Sequence, residues 1–144
     1  MAPPTRFWQT QPGRTLVGRL RTGSDLVEEI ERTCAERGIL AAHVTVVGAV
    51  TRAAFAYYDQ AKQAYDELHS EAHHEIAGFI GNISLRDNKP FLHAHCSFGD
   101  ASGGAVTGHL VRGTVVFVAE VTITEWTDLS LVRTHDEATG LALW

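Results

Sequence analysis

Apolar residues recur along this chain with two different periods, and the change of period marks out its elements. In residues 24–38 (SDLVEEIERTCAERG), Leu26, Val27, Ile30 and Cys34 fall three and four apart, which predicts a helix with one apolar stripe to bury. Ser24 or Asp25 can cap its start, and Asp25, Glu28 and Glu29 set negative charge at the positive end of the helix dipole. Gly38 stands where a left-handed C-terminal cap is wanted. Elsewhere β-branched and aromatic residues predict strands at 14–20, 43–50, 53–59, 74–85, 91–98 and 114–125. The last of these, TVVFVAEVTITE, carries the strongest strand pattern. Gly78 and Gly81 interrupt 74–85, which a bulge or a close backbone neighbour explains. RDNKP reads as a turn and DASGG as a loop. Residues 60–70 (QAKQAYDELHS) are ambiguous, because Ala61, Ala64, Tyr65 and Leu68 also form a helical stripe.

Residues 1–13 contain prolines and follow neither period, so they read as an irregular lead-in to a single domain over 14–144. One helix with many strands joined by short turns does not alternate as a doubly wound sheet does. The fold class is therefore α+β: a mainly antiparallel sheet with one principal helix packed on it.

Composition narrows the function more than the fold. The net charge is −5 and the only lysines are Lys62 and Lys89. That argues against a stand-alone nucleic-acid binder and against a polybasic membrane patch. The N-terminal stretch lacks the apolar core of a signal peptide, and no run reaches the length of a membrane span. Cys34 and Cys96 have no CxxC spacing and read as small buried hydrophobes in a reducing compartment. A soluble, cytoplasmic protein is the expectation.

The chemistry concentrates in 90–110, PFLHAHCSFGDASGGAVTGHL. On a strand, His93 and His95 project from the same face, so their ring nitrogens can converge on one ion. His109 can join them from beyond the Gly-rich loop, where glycines let backbone approach closely. Three neutral imidazoles suit zinc and leave the fourth tetrahedral position open to water or an anion. Histidines at such spacing also occur as core or surface residues satisfied by hydrogen bonds, and spacing by itself does not separate the two readings. Glu120, mid-strand between Ala119 and Val121, and Glu75, before Ile76, are candidates to orient a ligand imidazole or to act as a base. Each reads equally as an ion-paired or solvated charge. His73 and His74 read as solvated. No P-loop lysine follows the SGG stretch, and no GxSxG nucleophile motif is present.

Several stretches together, GILAAHVTVVGAV, EIAGFIGNIS, PFLHAHCSF, GHL, VAEVTITE and RTHDEATGL, in that order, resemble the plants-and-prokaryotes conserved (PPC) domain. The resemblance covers about 14–141. It implies an α+β fold assembled as a homotrimer, and it turns the ambiguous 60–70 toward a β-hairpin. It also implies a metal, zinc by preference, on His93, His95 and His109, with Thr107 replacing the first glycine of the family's GGHL. Plant relatives carry AT-hooks for DNA, and this chain has no such core. The resemblance thus implies a metal-binding trimer of undefined activity, and the open fourth position of three imidazoles adds a small anionic ligand to the expectation. The alternative is a non-catalytic regulatory or DNA-associated module.

Overall fold

The helix forms where its punctuation falls. In the computed structural model, which describes residues 5–144, α1 runs Leu26–Arg37. Asp25 is its N-cap, accepting from the backbone N–H groups of Val27 and Glu28, and Gly38 closes the other end at φ 67°. Leu26, Val27, Ile30 and Cys34 are all buried, so the predicted stripe is the docking face.

The strands are β1 (Gln11–Arg19), β2 (Ala42–Asp59), β3 (Ala64–Ser70), β4 (His74–Arg86), β5 (Lys89–Gly99), β6 (Ala105–Leu110), β7 (Val115–Thr127), β8 (Thr134–Asp136) and β9 (Leu141–Leu143). Seven of them form one sheet in the order β1-β7-β2-β4-β5-β6, with β3 paired to β2, and β8 and β9 form a separate hairpin. All pairings between named strands are antiparallel. The fold class read from the sequence is the one observed, an antiparallel sheet with a single α-helix among the described residues.

Two local differences have physical causes. The strands expected at 43–50 and 53–59 are one strand of 18 residues, because Thr51 and Arg52 offer no turn chemistry. Register shifts around Ala49, Val50 and Arg52 bend it instead. Residues 60–70 turn and pair rather than coil: the Asp59 carboxylate accepts from the N–H groups of Ala61 and Lys62, and Gln63 takes φ 50°. The start of β1 also lies at Gln11, ahead of the predicted 14, and residues 1–4 of the expected lead-in lie outside those described.

The bend in β2 shapes the site. Its first half lies between β4 and β7, while Phe55 and Ala56 meet Leu110 and His109 of β6. Since β6 also pairs β5, strands β2, β4, β5 and β6 close on themselves. The core fills the side that α1 covers: Val44, Ile83, Phe98, Val116 and Ile123 are essentially inaccessible. Cys34 and Cys96 belong to it, and burial pushes both thiols up to about 12, so they behave as small hydrophobes. On the side facing away from the helix, Val17, Val47 and Ile80 remain exposed.

Candidate metal centre

Strand alternation puts His93 and His95 on one side of β5, while Ala94 and Cys96 point into the core. The third imidazole arrives by register. β6 runs antiparallel beside β5, with His109 directly opposite His95. One ligand atom from each ring lies within 4.8 Å of those of the other two, and the ring centroids are 5.1–5.6 Å apart. On its other flank His109 pairs with Ala56 of β2.

Backbone proximity makes this possible. A Cβ at Gly108 would stand 2.7 Å from the Ala56 carbonyl oxygen, so only glycine lets β6 lie this close to β2. At Gly81, on the neighbouring strand, a Cβ would meet that of Ala94 at 2.9 Å. Thr107 is exposed, sits opposite Ser97 and leaves the ladder unbroken.

Two of the three rings, His93 and His109, are held in the ligand form. Burial, with the Arg133 guanidinium and the neighbouring imidazoles, pushes His93 down to about 4. Burial, His95 and Arg133 do the same to His109. Both are therefore neutral near pH 7, as a metal requires. Among the described residues, His109 Nδ1 is buried with no hydrogen-bond partner, a polar atom that an ion among the rings could satisfy. The donor set thus fits a divalent metal.

The triad opens into a cavity of about 740 Å³. Tyr65 lies against His109 with ring centroids 4.9 Å apart, and Tyr58 lies 4.9 Å beyond Tyr65. Arg133 enters from the segment after β7. Its Nε donates to Ser84 Oγ at 2.7 Å, Nη1 to the Ala142 carbonyl at 3.0 Å and Nη2 to Asn82 Oδ1 at 3.3 Å. Nη2 also lies 3.5 Å from His93 Nδ1. Neither Arg133 nor Tyr65 stands out as a site residue in the sequence, because only tertiary packing brings them to the histidines.

Glu75 and Glu120 are placed elsewhere. Glu75 is exposed opposite Ala49 and Gly99, beside a separate cavity of about 410 Å³. Glu120 is exposed opposite Arg19 and Val47, so its position mid-strand costs no desolvation. Neither lines the histidine cavity. His74 departs from its expected solvated position: it is 6% exposed, packed near Phe98 with Nε2 2.8 Å from Ser70 Oγ, because strand alternation turns it inward while His73 faces out.

The model of the Plants and Prokaryotes Conserved (PCC, also written PPC) domain matches residues 9–127. The chain belongs to the PCC family. Among solved structures, this PCC chain is similar to a metal-containing protein from Archaeoglobus fulgidus, at 38% identity and TM-score 0.93, over 97% of this chain and 99% of that one. It is also similar to a plant- and prokaryote-conserved protein from Pyrococcus horikoshii, at 33% identity and TM-score 0.91, over 97% and 96%. A Bacteroides thetaiotaomicron protein, provisionally named as DNA-binding, shares the PCC fold at 23% identity and TM-score 0.82, over 93% and 95%. Among curated proteins, none matches the chain. In the described residues of this PCC member, no helix is long and apolar enough to cross a membrane.

Proposed function

We propose that this PCC chain holds one zinc ion per subunit through His93, His95 and His109, with the fourth position open to a small anionic ligand. The observation that carries the reading is the convergence of three imidazoles, their ligand atoms within 4.8 Å of one another, with no acidic residue lining the cavity. Three neutral nitrogens suit zinc, and a three-ligand set keeps a position for water or an anion. Zinc bound there supplies Lewis acidity to whatever occupies that position. Arg133 Nη2 lies 3.5 Å from His93 Nδ1, and the Tyr65 ring lies against His109; both line the same cavity. The Archaeoglobus fulgidus relative is a metal-containing protein, which supports a metal in this chain.

The working form is a homotrimer. Exposed Val17, Val47 and Ile80, at 79%, 68% and 66%, give the uncovered side of the sheet apolar surface to bury, and Ile80 stands directly opposite His95 in the ladder.

Metal analysis of protein purified without an affinity tag tests the site. About one zinc per chain is expected in the parent and little in His95→Ala, since two ligands from separate strands chelate poorly. That variant stays folded, because the core lies on the other side of β5. Unchanged zinc in His95→Ala defeats the assignment. Light scattering that gives a monomer mass at micromolar concentration removes the trimer.

A further inference from the structure

We infer that the histidine cavity is a receptor for a small organic dianion, with Arg133 and Arg86 as its charge anchors. This deepens the reading of that cavity as the working site and rests on it, but it stands on the arginines and not on the ion.

The chain has 17 acidic and 12 basic residues, yet the residues lining this cavity include Arg86, Arg133 and three histidines and no carboxylate. Arg14, Arg21, Arg32, Arg52 and Arg112 each meet a carboxylate. Among the described residues, Arg6, Arg19, Arg37, Arg86 and Arg133 meet none within ion-pair distance, and of these only Arg86 and Arg133 line the cavity.

Arg133 is the more telling of the two. Its guanidinium is partly buried and oriented by Ser84, Asn82 and the Ala142 carbonyl, all neutral acceptors. Those bonds satisfy donors but leave the charge uncompensated, and a partly desolvated cation without a counter-charge is costly. Arg86 is brought to the same place: the two guanidinium carbons lie 5.2 and 5.3 Å from the centroid of the Phe91 ring. Two positive charges lining a cavity without a carboxylate call for two negative charges. A metal at the triad adds to the same sign.

The ligand is organic because the remaining wall is aromatic. Tyr58, Tyr65 and Phe91 line the cavity, and about 740 Å³ falls in the range of small-molecule sites. A bare inorganic anion leaves most of that wall wet.

Titration calorimetry with phthalate, phenyl phosphate, benzoate and benzamide tests this on the full chain, both as purified with its zinc content measured and after chelator treatment. Both dianions are expected to bind in both preparations, with affinity falling as salt rises. Benzoate binds about tenfold more weakly and benzamide gives no measurable heat. Arg133→Gln lowers dianion affinity by about tenfold or more, and exposed Arg86→Gln by roughly two- to fivefold. Zinc content stays unchanged in Arg86→Gln, whose side chain is exposed. Because Arg133 also anchors the C-terminal hairpin, Arg133→Lys keeps the charge if the glutamine variant does not fold, and Arg86→Gln reads the proposal independently.

Benzamide binding as tightly as phthalate, or full dianion affinity in Arg133→Gln or Arg86→Gln, overturns the inference. Zinc bound at the triad with no dianion bound overturns it too and leaves the metal reading intact. Dianion binding in protein that never held zinc supports it while defeating the metal.

Discussion

Gly108→Ala puts the construction of the site to a direct test. The added methyl would stand 2.7 Å from the Ala56 carbonyl oxygen and 3.2 Å from the Phe55 ring, where ordinary contact begins near 3.4 Å. Phe55 can yield by rotating, but the Ala56 carbonyl belongs to the backbone of β2. Strand β6 must therefore move away by about 0.7 Å, the difference between 2.7 and 3.4 Å. His109 is the next residue and moves with it. Functional groups tolerate about 0.5 Å of displacement, so the triad is expected to lose zinc affinity by roughly tenfold or more. Overpacking costs about 1–3 kcal/mol, against a gain of roughly 0.5–1 kcal/mol for removing a glycine from a strand, so the variant is less stable on balance. Zinc content and a denaturant titration read the two effects. Thr107→Ala is the control: exposed and one residue away, it stays within about 0.5 kcal/mol and keeps its metal. A Gly108→Ala protein with full zinc and full stability refutes the close-approach argument.

Chelator-treated protein should lose stability as pH falls from about 6.5 to about 4, because His93 and His109 titrate near 4 when folded and near 6.5 when unfolded. The unfolded chain takes up protons first, so this contribution is complete above 6.5 and is lost as pH falls through that window; a flat denaturation midpoint between pH 7 and 4.5 contradicts it. Asp25→Ala removes the helix cap that serves Val27 and Glu28 and should cost about 1–2 kcal/mol, with an unchanged midpoint in urea as the contrary result. Duplex DNA should bind weakly and without sequence preference at physiological salt, given the net charge of −5; a tight, selective gel-shift complex overturns that.

The sequence made the local features readable. Helix caps at Asp25 and Gly38, the β-branched runs and the HxH pair depend on neighbours within a few residues, and each is found in place. Gly78 and Gly81 were read as a bulge or a close approach, and both occur: the β4–β5 register shifts between Ile76 and Gly78, and Gly81 packs on Ala94. What escaped depends on distant partners. Nothing near Arg133 in the chain points to His93, 40 residues away, and nothing near Tyr65 points to His109. Glu120 drew attention because a mid-strand carboxylate is costly when buried, but pattern does not say which side of a sheet stays wet. His74 failed for the converse reason. Its neighbours are polar, yet alternation set its side chain against Phe98.

The triad is at bottom a property of register. HxH on β5 supplies two imidazoles on one side by the two-residue period alone, but the third depends on where β6 begins. That start is set by 100–104. Asp100 accepts from the N–H groups of Ser102 and Gly104 through Oδ1, its own N–H donates to the Gly104 carbonyl, and Gly103 takes φ 82°. These bonds close a tight loop of fixed length and deliver Ala105 opposite Gly99, hence His109 opposite His95. A slip of one residue would turn His109 toward the core and Gly108 toward the cavity, abolishing the site while keeping every strand. The close approach of Gly108 to Ala56 guards against that slip, because no other residue of β6 fits under the β2 carbonyl. The Gly-rich loop and the glycine before His109 therefore act together. One sets the count and the other locks it, and the convergence of the three imidazoles follows from backbone geometry.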